Sequence, residues 1–328
     1  MPATITLSQG VPNYFVDQFS ETLYHVMQQK DSKFAQAVRV EPLLNAEDKA
    51  FDMMDKLDLV EKEGRNPQTP TTTISSQRRW VQTTPYHQGV QFDKDDDLSM
   101  IIDPRSDVMM ALSRAANRTK DDIILAAMDA AVYNGRRLSS STITWAAQNG
   151  NVKYTTAAAT LTTGGRTIPH DCAEGNCSAV DTGMTIEKIE LIKEYFAFKD
   201  MDEDTPVWVA ISPGQATDLF GQEEYVNTDY NGGGSPIATG YIKRNFHGLN
   251  WIVSNKVLRG TGNDVDGDTN VYRCFAWAQD GIVLGVQKDL STRMAIRYDL
   301  SDSQEIYVHL NLGAFRMDED RVCVVECQ

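Results

Sequence analysis

This sequence has few of the features that mark catalytic, secreted or membrane proteins. Only five cysteines, Cys172, Cys177, Cys274, Cys323 and Cys327, occur in 328 residues. An odd number spread over a large chain is not a disulfide framework, so free thiols are expected. No apolar run approaches the ~18 residues of a membrane span, which excludes a membrane partner of the helical kind. The first residues, MPATITLSQG, lack the charged start and continuous apolar core of a secretory signal. These absences point to an intracellular origin.

Chemical motifs are equally scarce. Gly232-Gly233-Gly234 is not followed by the Lys-Ser/Thr of a phosphate-binding loop, and there is no dinucleotide fingerprint. Asp264-Val265-Asp266-Gly267-Asp268 resembles a calcium loop only superficially. Its glycine comes too early, and Phe275 stands where a bidentate Glu is required. Asp95-Asp96-Asp97 reads as a solvated linker, because adjacent carboxylates on an extended segment point to different sides. His170 lies near Cys172 and Cys177, but the spacing matches no standard zinc motif. His25, His87, His170, His247 and His309 stand in five separate contexts. No catalytic, cofactor-binding or metal-ligating residue is expected, and the chain reads as a non-enzyme.

The apolar fraction of 41% and charged fraction of 23% are those of a folded protein. A length of 328 residues holds one large domain or two to three small ones. The net charge of −15 argues against a free nucleic-acid binder, since phosphate neutralisation needs a basic face. It leaves open a protein that surrounds nucleic acid.

The chain from Pro70 to Gly135 carries the most information. Thr71 to Phe92 reads as two extended arms around Thr83-Thr84-Pro85, anchored by Ile74, Trp80, Val81, Val90 and Phe92. So little apolar surface cannot form a core, which predicts a hairpin that projects toward another molecule. Within it, Arg78-Arg79-Trp80 is the one concentrated surface signal. A basic pair beside an aromatic can stack on a nucleic-acid base, sit in a solvated strand, or contact another subunit. The acidity of the rest of the chain favours subunit contact, and Arg and Trp are enriched at interface hot spots.

Asp103 and Pro104 predict a helix start, and Asn134-Gly135 an end. Val108, Met109, Leu112, Ala115 and Ala116 share one face, followed by Ile123, Ile124, Ala127, Met128 and Ala131. Thr119-Lys120-Asp121-Asp122 resembles a capping box, so a second start or a kink is expected there. If continuous, the helix spans about 46 Å. Phe15, Phe19, Leu23, Val26 and Met27 make an amphipathic N-terminal arm, and Lys56 to Val60 is ambiguous between strand and helix. Residues 136–180 read as short strands and loops. Thr185 to Lys199 is an amphipathic helix, Val207 to Ile211 a buried strand, and Ser212-Pro213 starts a short helix through Phe220. Ile306, Val308, Leu310 and Leu312 alternate as a half-buried strand does, as do Met294, Ile296 and Tyr298. Val322 to Val325 make another strand. No repeat of 20 to 50 residues is visible, which disfavours solenoids and propellers.

This order of parts, above all Asp103-Pro104-Arg105 through Asp121-Asp122-Ile123 to Gly135, resembles the major capsid proteins of tailed bacteriophages with the Hong Kong 97-type shell fold. The resemblance implies an α+β chain with an N-terminal arm (1–34), part of a peripheral domain (35–61) and an extended hairpin loop (62–93). A spine helix (94–135), an axial domain (136–269) and peripheral strands (270–328) follow. It implies a shell of hexamers and pentamers of this chain, icosahedral, enclosing double-stranded DNA without sequence-specific binding. It also implies a portal, a decoration protein, assembly in the host cytoplasm and residence in the virion. The short arm implies a separate scaffolding protein. Some such proteins crosslink through a loop lysine; no lysine lies between Gly64 and Phe92, so that chemistry is not expected. The rival readings are a cellular nanocompartment shell of the same fold, separated by its contents, and a hydrolase with scattered carboxylates, separated by particle size.

Overall fold

Twenty-five consecutive residues, Arg105–Asp129, form one α-helix, α1, about 37 Å long. In the computed structural model, the described residues are 27–43, 48–54, 56–62, 64–65, 68–74, 76–93, 105–130, 132, 136–137, 145–146, 167–169, 172–173, 176–177, 182–227, 242, 245–257, 271–300 and 302–328. The expected helix start at Asp103-Pro104, most of the N-terminal arm, the Asp95–Asp97 linker, the glycine loop at 232–234 and the calcium-like loop lie outside these residues. The helix ends at Asp129, with Ala130 and Val132 already outside it, short of the expected end at Asn134-Gly135.

Helix α1 runs without interruption through 119–122, contrary to the expected second start. Thr119 does not cap; its hydroxyl donates to the Ala115 carbonyl one turn back, at 3.1 Å. Asp121 is buried and serves a different segment. Its carboxylate accepts from the Gln29 side chain, from Ser32 Oγ at 2.5 Å, and from the backbone amides of Lys33 and Phe34 at 3.2 and 3.3 Å. Asn117 donates to the Lys30 carbonyl at 3.0 Å, and Arg118 to Gln28 at 2.7 Å. Residues 117, 118 and 121 share one helix stripe, so segment 28–34 is fastened along the spine.

The strands are β1 (Arg39–Pro42), β2 (Asp48–Met54), β3 (Ser76–Gln82), β4 (Thr84–Phe92), β5 (Arg136–Arg137), β6 (Trp145–Ala146), β7 (Thr167–Ile168), β8 (Cys172–Ala173), β9 (Asn176–Cys177), β10 (Val207–Ile211), β11 (Asn245–Phe246), β12 (Leu249–Val253), β13 (Tyr272–Ala278), β14 (Ile282–Arg297), β15 (Ser303–Arg316) and β16 (Val322–Cys327). One sheet has the order β1-β14-β15-β4, and a second β11-β12-β10-β13-β16-β7. The last third of the chain therefore serves both sheets. Strands β13 and β16 join β10 and β12, so the expected division near residue 270 does not coincide with sheet membership.

Helix α1 lies on the first sheet. Leu112 packs with Phe92, Ile306 and Val308, and Ala116 with Leu310 and Leu312. The predicted alternation of β15 is the face that meets this helix. Met294 and Ile296 are in strand β14 and Tyr298 is in the turn just after it, and all three are exposed. Helices α2 (Ile186–Phe198) and α3 (Pro213–Phe220) start at Thr185 and Ser212, whose hydroxyls accept from the amides of Lys188 and Gln215. Both match their predicted limits to within a residue. A further short helix, α4 (Glu223–Val226), follows. The second sheet, α2, α3 and the inner end of α1 share the main core, with Trp277, Phe275, Val324 and Ile192 buried in it.

The hairpin differs most from expectation. Strands β3 and β4 do not pair with each other. Strand β3 pairs antiparallel with β2, and β4 with β15. Arms joined through Thr83 alone would leave their edges unpaired, and upstream strand β2 supplies β3 with a partner. The projecting unit is thus 48–82, with its tip between β2 and β3.

Candidate functional site

Directly opposed residues of an antiparallel pair point to the same side, which divides the β2–β3 hairpin into two faces. Phe51 opposes Arg79, and Lys49 opposes Val81; this face meets the body. Phe51 packs on Phe315 with ring centroids 5.2 Å apart, and Val81 is buried with Leu43, Val132, Val283 and Phe315. Lys49 lies over the Phe51 ring, 5.0 Å from its centroid, and reaches Glu41 at 3.3 Å. The opposite face carries Arg78 against Asp52 and Trp80 against Ala50.

The structure therefore separates the three predicted contact residues. Arg78 and Trp80 are half-buried on the outward face. Arg78 makes a two-pronged pair with Asp52, Nε to Oδ1 at 2.5 Å and Nη2 to Oδ2 at 2.8 Å. That hydrogen bonding holds the Asp52 carboxyl below its ordinary range. Arg79 is only 4% exposed and turns into its own subunit. Its Nη1 lies 2.9 Å from the Arg316 carbonyl oxygen and 2.9 Å from Glu319 Oε1. Strand alternation alone separates Arg79 from its neighbours, so the three residues do not share one face: Arg78 and Trp80 lie on the outward side and Arg79 on the inward one.

Beyond this body-bound root, every described side chain of the loop from Lys56 to Ile74 is exposed. Leu57, Leu59, Val60 and Ile74 stand in solvent there. The sequence signal for Leu57, Leu59 and Val60 is an apolar group between Lys56 and Lys62 with no periodicity to place it in a core. Lys56 and Lys62 belong to this exposed loop, so the projecting segment carries lysines although the stretch from Gly64 to Phe92 has none.

At the root, Gly285 and Gly313 oppose each other across β14 and β15. A Cβ on Gly313 would overlap the Gln82 carbonyl, and one on Gly285 would lie 2.7 Å from Leu43 Cδ1 and 3.0 Å from Val81 Cγ2. The chain passes from β3 to β4 over this notch. Among the described residues no group of three or more His, Cys, Asp or Glu is placed to hold a metal. The histidines are less separate than the sequence indicated: His87 opposes His309 across β4 and β15, with Tyr307 tilted against one and stacked on the other. Cys274, Cys323 and Cys327 are buried free thiols. Burial pushes the Cys323 thiol up to about 12.

The sequence matches the family described as phage capsid protein over residues 11–328. No curated protein matches it. Among solved structures, the capsid of cyanophage Pam1 superposes with a TM-score of 0.72 at 12% identity, over 99% of both chains. The capsid of cyanophage P-SCSP1u gives 0.71 at 14% identity, over 96% of this chain and 93% of that one. The capsid of Ralstonia phage GP4 gives 0.67 at 12% identity, over 99% and 98%. At these identities the likeness is one of fold.

Proposed function

This chain belongs to the phage capsid protein family, and from that premise we propose how its copies hold together. It is a major capsid protein of the Hong Kong 97-type fold that forms a phage shell. Its role is structural.

The observation that carries the proposal is the hairpin loop. A folded subunit that leaves Leu57, Leu59, Val60 and Ile74 in solvent gains when a second copy covers them, at about 25 cal/mol per Å² of apolar area. The face with Arg78 and Trp80 flanks that loop and contacts the same neighbour. Many such contacts, each modest, let assembly correct errors while the closed particle stays strong.

On this reading hexamers and pentamers of the chain make an icosahedral shell around double-stranded DNA. Assembly takes place in the host cytoplasm, and the virion is the final location. A separate scaffolding protein, a portal and a decoration protein are the remaining partners. The net charge of −15 limits adhesion of the genome during packaging. The expected domain division carries over with two changes: the projecting loop is redrawn to 48–82, and strands β13 and β16 group with the sheet of β10 and β12.

The test is assembly itself. Purified protein, with and without its scaffold, is examined by light scattering after size-exclusion chromatography and by negative-stain microscopy. Closed particles are expected; a strictly monomeric chain under all assembly conditions refutes the proposal.

A further inference from the structure

The hairpin meets the body through one carboxylate. Glu319, in the short turn before β16, receives two guanidinium groups: Arg79 Nη1 at 2.9 Å and Arg316 Nε at 3.2 Å. All three side chains are at least largely buried, and Arg316 is fully so. Arg316 extends further, donating from Nη1 to the Met128 carbonyl at 2.5 Å. Met128 lies in the last turn of α1, where carbonyls lack helical partners and the helix dipole favours a cation. Arg79 also donates to the Arg316 carbonyl at 2.9 Å. A chain of contacts thus runs from the hairpin, through Glu319, to the end of the spine helix.

Energetics make this arrangement informative. Two guanidiniums and one carboxylate taken from water incur a large desolvation cost, and apolar residues of similar volume often stabilise as well or better. Burial pulls the Arg316 guanidinium below its ordinary value, while Glu319 acts to raise it. What a charged cluster has and an apolar one lacks is direction. Arg79 is fixed at two points, Glu319 Oε1 and the Arg316 carbonyl oxygen, each 2.9 Å from its Nη1, whereas a methylene chain slides.

We propose that Glu319 is a positioning residue that fixes the direction of the β2–β3 hairpin relative to the spine helix, so that each subunit presents its loop at one angle. The glycine notch lets Val81–Gln82 lie directly on β14 and β15, and the charge cluster adds a directional contact to that apolar packing. The consequence for shell building rests on the reading above, but the hairpin's direction is a property of the single subunit and is measured there.

The experiment places spin labels on p-acetylphenylalanine replacing Met54, at the outer end of β2, and Met110, on α1. Both positions are exposed, and this chemistry spares the native cysteines. Pulsed dipolar spectroscopy then compares wild type, Glu319→Gln and the triple replacement Arg79→Met, Arg316→Met, Glu319→Leu. Wild type is expected to give one narrow distance distribution. The triple variant is expected to keep its circular dichroism and melting temperature, to give a broad or multi-peaked distribution, and to lose closed particles in favour of irregular ones. Glu319→Gln should broaden the distribution in the same direction. A triple variant with a narrow, unshifted distribution overturns the proposal even if shells never form. So does a triple variant that fails to fold, because the cluster then serves global stability and not direction.

Discussion

Gly313 lies directly beneath Gln82, so close that a Cβ on the glycine would overlap the Gln82 carbonyl oxygen. This contact lets the chain cross from the hairpin to β4 over the paired strands β14 and β15. Gly313→Ala is therefore expected to destabilise the isolated subunit by about 1–3 kcal/mol, the usual cost of overpacking. Urea unfolding measures it. An unchanged midpoint would show that the crossing strand can lift at no cost.

Asp121 gives a second stability prediction. Removing its carboxylate by Asp121→Ala orphans the buried Phe34 amide and its neighbours, and each buried donor left unsatisfied costs about 1–3 kcal/mol. A loss of about 2 kcal/mol or more is expected in chemical denaturation. Limited proteolysis should open new cuts before Phe34 while α1 stays protected. Uniform proteolysis along the chain would contradict a local role.

The buried thiol of Cys323 sets an alkaline limit. Its folded pKa is raised to about 12, against 9.0 for the free group. The native state therefore keeps a proton where the unfolded state releases it. The contribution is fully present below pH 9.0 and is lost as pH rises toward about 12, at up to about 1.4 kcal/mol per pH unit. Stability of wild type relative to Cys323→Ala should fall across that window and stay constant below it. A pH-independent difference would show that the thiol does not titrate with unfolding.

Trp80→Ala tests the outward face of the hairpin. Particle yield should fall sharply, since truncating an interface hot spot costs about 2 kcal/mol or more and the loss recurs at every copy. Far-ultraviolet circular dichroism of the isolated subunit should not change. Arg78→Glu, which sets two acids against each other across β2 and β3, should reduce assembly in the same way. Normal yield in both variants would remove this face from the interface.

Local patterns in the sequence were legible where one neighbour decides the structure. The helix at Ile186–Phe198 is marked by Thr185 and a 3.6-residue apolar stripe, and the strand at Val207–Ile211 by a run of apolar residues before Ser212-Pro213. The alternation of Ile306, Val308, Leu310 and Leu312 identifies both the strand and its buried face. The hairpin was legible as an object poor in apolar anchors, but its partner strands were not. Pairing β3 with β2 rather than β4 depends on which edges are free, a property of the assembled sheets.

The same division holds for the site. By itself the sequence determined that this is a folded, acidic chain with a long amphipathic helix, without recognisable catalytic motifs, and with a basic-aromatic triplet on an extended segment. Those conclusions need only composition, period and spacing. Tertiary structure decided that Arg78 and Trp80 look outward while Arg79 turns in, and that Glu319, more than two hundred residues away, meets it. It also decided that Asp121 fastens the arm instead of starting a helix. Each of these depends on which side of a strand or helix is covered, and covering surfaces come from distant parts of the chain. A residue's chemistry is written locally, but its partner is fixed only when the fold closes.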